Sequence, residues 1–354
     1  MDTALERILA AANQAPSGEN CQPWRFVVSG LTVEIHVRPE RDQSYYGWGQ
    51  RASYLACGAA LENLVIASSK EGYAANVSYF PDKGDAWHVA TVTLRKDASA
   101  PRDVLADFIY ERISNRKPYA TEPLTQAEED TLHSAAVGSR PGSLKLVKDK
   151  EAIAVLGRVG STNEEVMLAN RALHDFFFSH VTWTKEEDDA KKIGFYIKTL
   201  ELPPPAEKMF KMFNNWSVMR ILAKLGFNRI VAKQNGATNA SAAAMGAFII
   251  DGTEPIDFVK VGRAVERTWL AATSLGLSFQ PLTGVLFFKL KIAAGESDMF
   301  TTAEQRLVMT AYGKASQIFN ADGKHIAFMF RIGRADPPTA HALRFPLEEA
   351  VSIV

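Results

Sequence analysis

The sequence predicts an α+β protein. Two observations carry that expectation. Strand candidates are mixed with long helices, without the strand–helix–strand rhythm of a parallel sheet, and one helical stretch occurs twice. "GAALENLVIASSKEG" at 58–72 and "GRAVERTWLAATSLG" at 262–276 align without a gap at an offset of 204. Gly58/Gly262, Ala60/Ala264, Glu62/Glu266, Ala67/Ala271 and Gly72/Gly276 are identical in type, and Leu61/Val265 and Ile66/Leu270 are apolar in both. Each copy reads as a buried helix with a small-residue face, stopped by a glycine.

The remaining elements follow in chain order. "LERILAAANQ" sets Leu5, Ile8, Leu9 and Ala12 on one helical face. "WRFVVSG" reads as a buried strand starting at Trp24. Between them Pro16, Gly18 and Pro23 force an irregular path through "QAPSGENCQPW". "TVEIHV", "NVSYF" and "WHVATVTL" are strands around the first repeated helix. "LKLV", "GAFII", "GLSFQPL" and "IAFMFRIG" surround the second. Helices are expected over 101–113 and 124–136, within the charged segment 151–200, and over 302–315, where a Gly-Lys pair stops the run. "TLELPPPAEKMF" (199–210) is a proline-punctuated loop opening a helix, a candidate lid or insertion.

Composition narrows the function. The chain has 354 residues, with Lys+Arg and Asp+Glu balanced at 40 each. Neither a nucleic acid nor an anionic membrane is an expected partner. Asp2 and Glu6 and the lack of a long apolar run argue against a signal peptide or a membrane span. Cys21 and Cys57 read as reduced thiols of a cytoplasmic protein, and the seven histidines show no ligand spacing, so no metal is expected.

Two segments carry candidate chemistry. The opening loop can present backbone N–H groups and short polar side chains to a flat ligand, or simply turn a corner. In "ERISNRKPYATEPLT" (111–125), Arg112, Ser114 and Arg116 alternate and share one side of an extended chain. Two guanidiniums and a hydroxyl suit a phosphate monoester. A solvated basic helix end is the alternative.

Together these motifs resemble the nitroreductase family of FMN flavoproteins. The family's "PSxxNxQPW" loop is matched by Pro16, Ser17, Asn20, Gln22, Pro23 and Trp24, and its Arg-x-Ser-x-Arg/Lys motif by Arg112, Ser114 and Arg116. "GRAVERTWLAATSLGLSFQPLTG" (262–284) is similar to the central helix and its following turn, and "LRFPLEEAV" (343–351) to the C-terminal segment. "CGAALENL" (57–64) and the "RxxNRxPY" pattern of Arg112, Asn115, Arg116, Pro118 and Tyr119 resemble the double-length type that includes the mycobacterial Acg group.

The resemblance implies a tandem nitroreductase-like fold, two fused halves mimicking the family's homodimer. The first half, 1–110, supplies the loop. The second, 111–354, supplies the phosphate motif and the turn near flavin N5, with a lid-like insertion at about 169–235. One FMN per chain would be held by Pro16, Ser17, Gly18, Asn20, Arg112, Ser114, Arg116, Leu282, Thr283, Gly284 and Arg344, with Thr283 and Gly284 near N5. A second site lacks its parts: "SAAVGSRPGSLKLV" (134–147) has no Asn or Gln-Pro-Trp, and Phe80 stands where Gly284 stands in the other copy. The family's basic pair is reduced, with Ala342 two before Arg344; Arg331 and Arg334 could substitute, or could pair with nearby acids. Trp24 reads as core, and Cys21 as packing.

The flavin then carries the chemistry. The resemblance implies ping-pong hydride transfer from NADH or NADPH to a small nitroaromatic or quinone-like acceptor, with no catalytic side chain required. The aromatic run Phe176, Phe177, Phe178, Trp183, Phe195 and Tyr196 reads as core, or as a closed lid. A lid implies a second function, an FMN-binding or FMN-sequestering protein with little turnover. A flavin-free binding protein is the third. A fused chain can work as a monomer, and a further dimer stays open.

Overall fold

Asp2 opens the chain's first helix by accepting a hydrogen bond from the Ala4 amide at 3.3 Å. This is α1, Thr3–Ala12, with Leu5, Ile8, Leu9 and Ala12 buried as the spacing requires. A computed structural model describes residues 2–97, 99, 101–137 and 142–354. After α1 come β1 (Trp24–Ser29), β2 (Thr32–Val37), α2 (Arg51–Lys70), β3 (Tyr73–Tyr79) and β4 (His88–Lys96). β1 is half-buried rather than wholly buried. Trp24, Phe26 and Val28 face inward while Arg25 and Ser29 face solvent, the alternation of a sheet with one wet face.

The second set repeats this plan with insertions. It runs α3 (Gln126–Val137), β5 (Ser143–Val147), α4 (Lys150–Ala169), α5 (Arg171–Ser179), β6 (Val181–Thr182), α6 (Lys185–Lys191) and β7 (Phe195–Tyr196). It continues with α7 (Pro204–Phe213), α8 (Trp216–Lys224), α9 (Phe227–Ala240), β8 (Ala244–Ile250), α10 (Pro255–Ser274) and β9 (Ser278–Pro281). α11 (Gly284–Ala293), α12 (Thr302–Phe319), β10 (His325–Gly333), α13 (Leu347–Ala350) and β11 (Val351–Ile353) complete it. The fold is α+β. One sheet has the order β11-β1-β2-β4-β3 and another β5-β8-β10-β9. Setting β11 aside, both follow one scheme, with the long helix between the second and third strands and the last two strands exchanged in order. β11 joins the first sheet by pairing parallel with β1, Phe26 opposite Val351.

Three expected elements differ. Residues 101–113 form no α-helix; only Val104–Asp107 coil, as a tight 3₁₀ turn. Asp103 accepts from the Leu105 amide at 3.0 Å and is held by Arg267 at 2.6 Å, which pins the start of this turn; further turns lead on to Arg112, whose amide donates to the Phe108 carbonyl at 3.0 Å. The helix expected to stop at Gly313-Lys314 runs on to Phe319, where Asn320 adopts a left-handed cap. Its buried stripe of Val308, Ala311, Tyr312, Ala315 and Phe319 continues through the glycine, and that burial outweighs the roughly 1 kcal/mol a helical glycine costs. Within 151–200, α4 is followed by five short pieces, α5, β6, α6, β7 and a 3₁₀ turn at Ile197–Leu200, not by one continuous helix.

The core joins both sets through α2 and α10. A Cβ on Gly58 would stand 2.0 Å from the Val259 carbonyl oxygen, and one on Gly262 would stand 1.9 Å from that of Leu55. The contact is reciprocal: Leu55 and Val259 are separated by the same offset as the two glycines. Small residues let the two backbones touch, with Ala56, Ala59, Ala60 and Ala264 buried alongside. No helix among the described residues is long and apolar enough to cross a membrane. Gly262→Ala is expected to lose about 1–3 kcal/mol or more in urea unfolding, because the neighbour is backbone and cannot yield locally.

Candidate functional site

The loop between α1 and β1 is bent by three non-glycine residues with left-handed backbone, Glu19 (φ 43), Asn20 (φ 53) and Gln22 (φ 50). Such conformations persist only where the surroundings over-determine them. Here the Gln22 amide donates to Ser17 Oγ at 2.9 Å. Asn20 Nδ2 donates to the carbonyls of Lys192 (3.0 Å) and Leu343 (2.9 Å). Gln22 reaches Lys192 as well and accepts from the Phe345 amide, both at 2.8 Å. Asn20 and Gln22 thus staple the loop to two distant segments. Trp24 is core, its indole N–H donating to Asn13 at 2.9 Å, and both cysteines are free and buried.

Two arginines from opposite ends of the sequence meet beneath this loop. Arg112 Nη2 and Arg344 Nη2 donate to one acceptor, the Gln14 carbonyl, at 2.9 and 3.1 Å. Arg112 also lies 3.1 Å from Glu266 Oε1, without the alignment of a hydrogen bond, and 4.5 Å from the Trp269 ring centre. Arg344 donates to Asn20 Oδ1 at 2.8 Å, while its buried Nε and both Glu266 oxygens have no hydrogen-bond partner. Burial first, then the Arg112 charge, lowers Arg344 to about 9, opposed by Glu266. Two cations share one buried carboxylate, which leaves positive charge for an anion to meet.

Arg116 goes elsewhere. Its Nη1 donates to the Thr199 carbonyl at 3.0 Å, and its guanidinium lies over Phe195. Ser114 pairs with Phe279 at the edge of β9. The Arg-x-Ser-x-Arg segment therefore sends its two guanidiniums to different partners. Arg331 is fully buried and held by Gln280, Thr238 and Lys117, and Arg334 pairs with Glu128 at 2.5 Å.

A second wall is built where β9 ends. Leu282 is buried, Thr283 precedes α11 without a side-chain cap, and Gly284 faces Asn163 of α4 so closely that a Cβ would stand 2.4 Å from Asn163 Oδ1. That oxygen and the neighbouring Glu164 Oε2 are buried and unpartnered. Tyr46, stacked on Phe288 at 4.8 Å, lies within the electrostatic reach of Glu19 and Glu164. Burial pushes Glu164 up to about 7, and burial followed by Asp42 pushes Glu19 up to about 8.

Glu19, Arg116, Glu164 and Arg344 share a property: burial dominates the ionisation of each, yet each keeps accessible surface. Residues in that state are candidates for the walls of one cleft. Across its outer side runs the segment 192–201. The Gly194 amide donates to the Glu19 carbonyl at 2.7 Å, Arg116 holds Thr199, and Glu201 accepts from the Thr339 amide at 2.7 Å. The aromatic run largely packs on itself, with Phe177, Phe178, Trp183, Phe195 and Phe210 in mutual contact. The related position on α2 is closed: Glu62 is bonded by Arg263 at 2.7 Å and Arg267 at 3.0 Å.

No family model matches the chain. An uncharacterized protein of Mycobacterium tuberculosis is 24% identical over 96% of the chain, which spans 47% of that protein, about half its length. "Putative NAD(P)H nitroreductase Rv3131" from M. tuberculosis is 26% identical over 79% of the chain and 76% of its own length. "Putative NAD(P)H nitroreductase acg" of the same species is 32% identical over 37% of the chain and 40% of its own length. By sequence, the chain is similar to the Acg-like nitroreductase group. Among solved structures, a nitroreductase with bound FMN from Desulfitobacterium hafniense is 15% identical over 72% of this chain and 100% of its own, with a TM-score of 0.38. A score of that size adds nothing to the topology described above.

Beside the motif positions of the nitroreductase-like sequence stand residues that no motif announced: Gln14, Glu19, Tyr46, Asn163, Glu164 and Glu266. Only Glu266 left a signal, a charged residue identical in both copies of an otherwise small and apolar helix. Strand pairing likewise gathers Glu34, His36 and His88, with the imidazoles stacked at 4.4 Å, which linear spacing did not reveal. The counterpart of the loop at 134–147 is described except at residues 138–141, which lie outside the described residues. Glu19 gives a pH test. Its folded value lies above the ordinary carboxylate value of about 4.3, so the folded state holds a proton that the unfolded state has lost. Stability is therefore expected to fall as pH rises from about 5 to about 8, and Glu19→Gln to flatten that fall in urea titrations.

Proposed function

We propose that the cleft binds one FMN per chain and that the protein is an FMN-dependent oxidoreductase. The observation that carries this reading is the convergence of Arg112 and Arg344 on the Gln14 carbonyl, with Arg344 Nε buried and unpartnered. A phosphate monoester supplies the acceptor that Nε lacks. Pro16, Ser17, Gly18 and Asn20 would lie along the flat ring, and Leu282, Thr283 and Gly284 would meet its hydride-exchanging edge, where the missing Cβ keeps space beside Asn163. Ser114 would complete the set from the same segment, and Arg116, held at the Thr199 carbonyl, would border the cleft rather than meet the phosphate. Bound FMN supplies hydride exchange between a nicotinamide and a second, small acceptor. NADH or NADPH is the reductant and a nitroaromatic or quinone-like compound the acceptor, in ping-pong order, in the cytoplasm.

The chain is read as two fused nitroreductase-like halves, 1–110 and 111–354, the second carrying an insertion at about 169–235. The matched strand orders and the reciprocal glycine contact support this. Closure of Glu62 by two arginines supports a single site. A monomer then contains everything the site needs.

A second reading has its own observation. The segment 192–201 is bonded to the loop, to Arg116 and to Thr339, which favours a covered flavin that exchanges poorly with nicotinamide. Anaerobic addition of NADPH and then NADH to FMN-loaded protein separates the two. Bleaching of the visible band, reversed by a nitroaromatic or quinone, is the expected result. A band that yields only to dithionite means sequestration. Arg344→Ala is expected to weaken FMN binding by about 1.5–3 kcal/mol, the worth of a charge-assisted hydrogen bond, in a fluorescence-quenching titration. Unchanged affinity removes Arg344 from the phosphate site.

A further inference from the structure

Asn163 and Glu164 lie on α4, outside every motif that points to the cleft, and each carries a buried oxygen without a hydrogen-bond partner. Asn163 Oδ1 faces Gly284. Asn163 also lies close to Tyr46 and to the Glu164 carboxyl, so the three side chains form one polar patch, with Phe288 stacked on Tyr46 and Leu282 packed beside Gly160 of α4. An unpartnered carboxylate oxygen in such surroundings is costly, whereas a neutral carboxylic acid has a hydrogen to donate.

We propose that Glu164 acts in this cleft as a neutral carboxylic acid, donating a hydrogen bond from Oε2 to the ring system seated at the Gly284 turn. The assignment rests on the FMN reading and goes beyond it, since it makes ligand affinity depend on one proton on α4. Burial raises Glu164 to about 7 and only Asn163 and its own backbone oppose it. From the other elements, Tyr46 on the loop before α2 and Glu19 on the opening loop are the titratable groups facing this patch. No basic side chain bears on Glu164 among the described residues. The neutral form therefore predominates below about pH 7 and is lost above it. Glu164 is a ligand-positioning group that holds a proton at a stated atom.

The test is FMN affinity of the full chain at about pH 6 and about pH 8.5, for wild type and Glu164→Gln, which keeps a donor and cannot ionise. Taking the ratio of the two cancels the ionisation of the FMN phosphate. The ratio is expected near one at the lower pH, with wild type up to about thirtyfold weaker at the higher, following the loss of neutral acid. A ratio flat across pH, with FMN bound by both, overturns the role of Glu164 and leaves the FMN reading standing. No FMN binding by wild type at either pH overturns both. Infrared difference spectra give a readout without ligand. A neutral-carboxyl band that titrates near pH 7, survives Glu19→Gln and vanishes in Glu164→Gln supports the assignment. Absence of that band in wild type at the lower pH overturns it.

Discussion

The close approach of α2 and α10 is the constraint on which the rest depends. Two helix backbones reach van der Waals distance only where side chains are absent or minimal, and Gly58 and Gly262 supply that at reciprocal positions. Because the helices touch, the charged residues that each carries at its fourth position beyond the glycine are forced under the neighbouring chain. Glu62 meets Arg263 and Arg267 of the opposite helix. Glu266 finds no such cover on α2, only Asn63 nearby, and must be met by Arg112 from outside the pair.

That difference turns a symmetric plan into an asymmetric protein. On one side the helix pair neutralises its own carboxylate and nothing more is needed. On the other, Arg112 arrives from the turns that follow the 3₁₀ segment and Arg344 from the stretch before α13. Their combined charge exceeds that of Glu266. A buried excess of positive charge destabilises the protein alone, and it makes sense where an anion completes the balance. The opposite wall has acids in place of bases, Glu19 and Glu164, both held toward the neutral form. The candidate site is thus polarised, with buried arginines at one side and two carboxyls held toward the neutral form at the other.

Much of this was legible in the sequence for identifiable reasons. The repeated helix was visible because its packing demands small residues at fixed spacing. Alternating strands and the proline-bounded loop were visible because their backbone rules are local. The Gly313 stop and the 101–113 helix were misread for the complementary reason. A buried stripe carried α12 through its glycine, and the chain after Asp103 breaks into successive turns where local spacing favoured one helix. The site divided in the same way. Arg112, Asn20, Gly284 and Arg344 stand in motifs, whereas Tyr46 and Glu164 reach the cleft only because α4 packs beside the turn before α11. Nothing local marks such residues. Arg116 shows the limit of the alternation argument: sharing one side of an extended strand did not give it the same partners as Arg112.

The parallel pairing of β11 with β1 has a consequence for how the protein is made. Arg25 and Ser352 are 327 positions apart yet face each other across that pair. During synthesis the outer edge of β1 is complete long before the strand that covers it exists. Until then it presents unpaired backbone groups, the usual invitation to pairing with another chain. Arg344, only a few residues before β11, is likewise made long after Arg112 and the opening loop. Until then the nascent protein lacks Leu343 and Phe345, which hold Asn20 and Gln22 of the opening loop, as well as the Arg344 cation. High contact order of this kind slows folding and lengthens exposure. Closure of the first sheet is therefore a late folding event, since its two pairing strands lie far apart in the sequence.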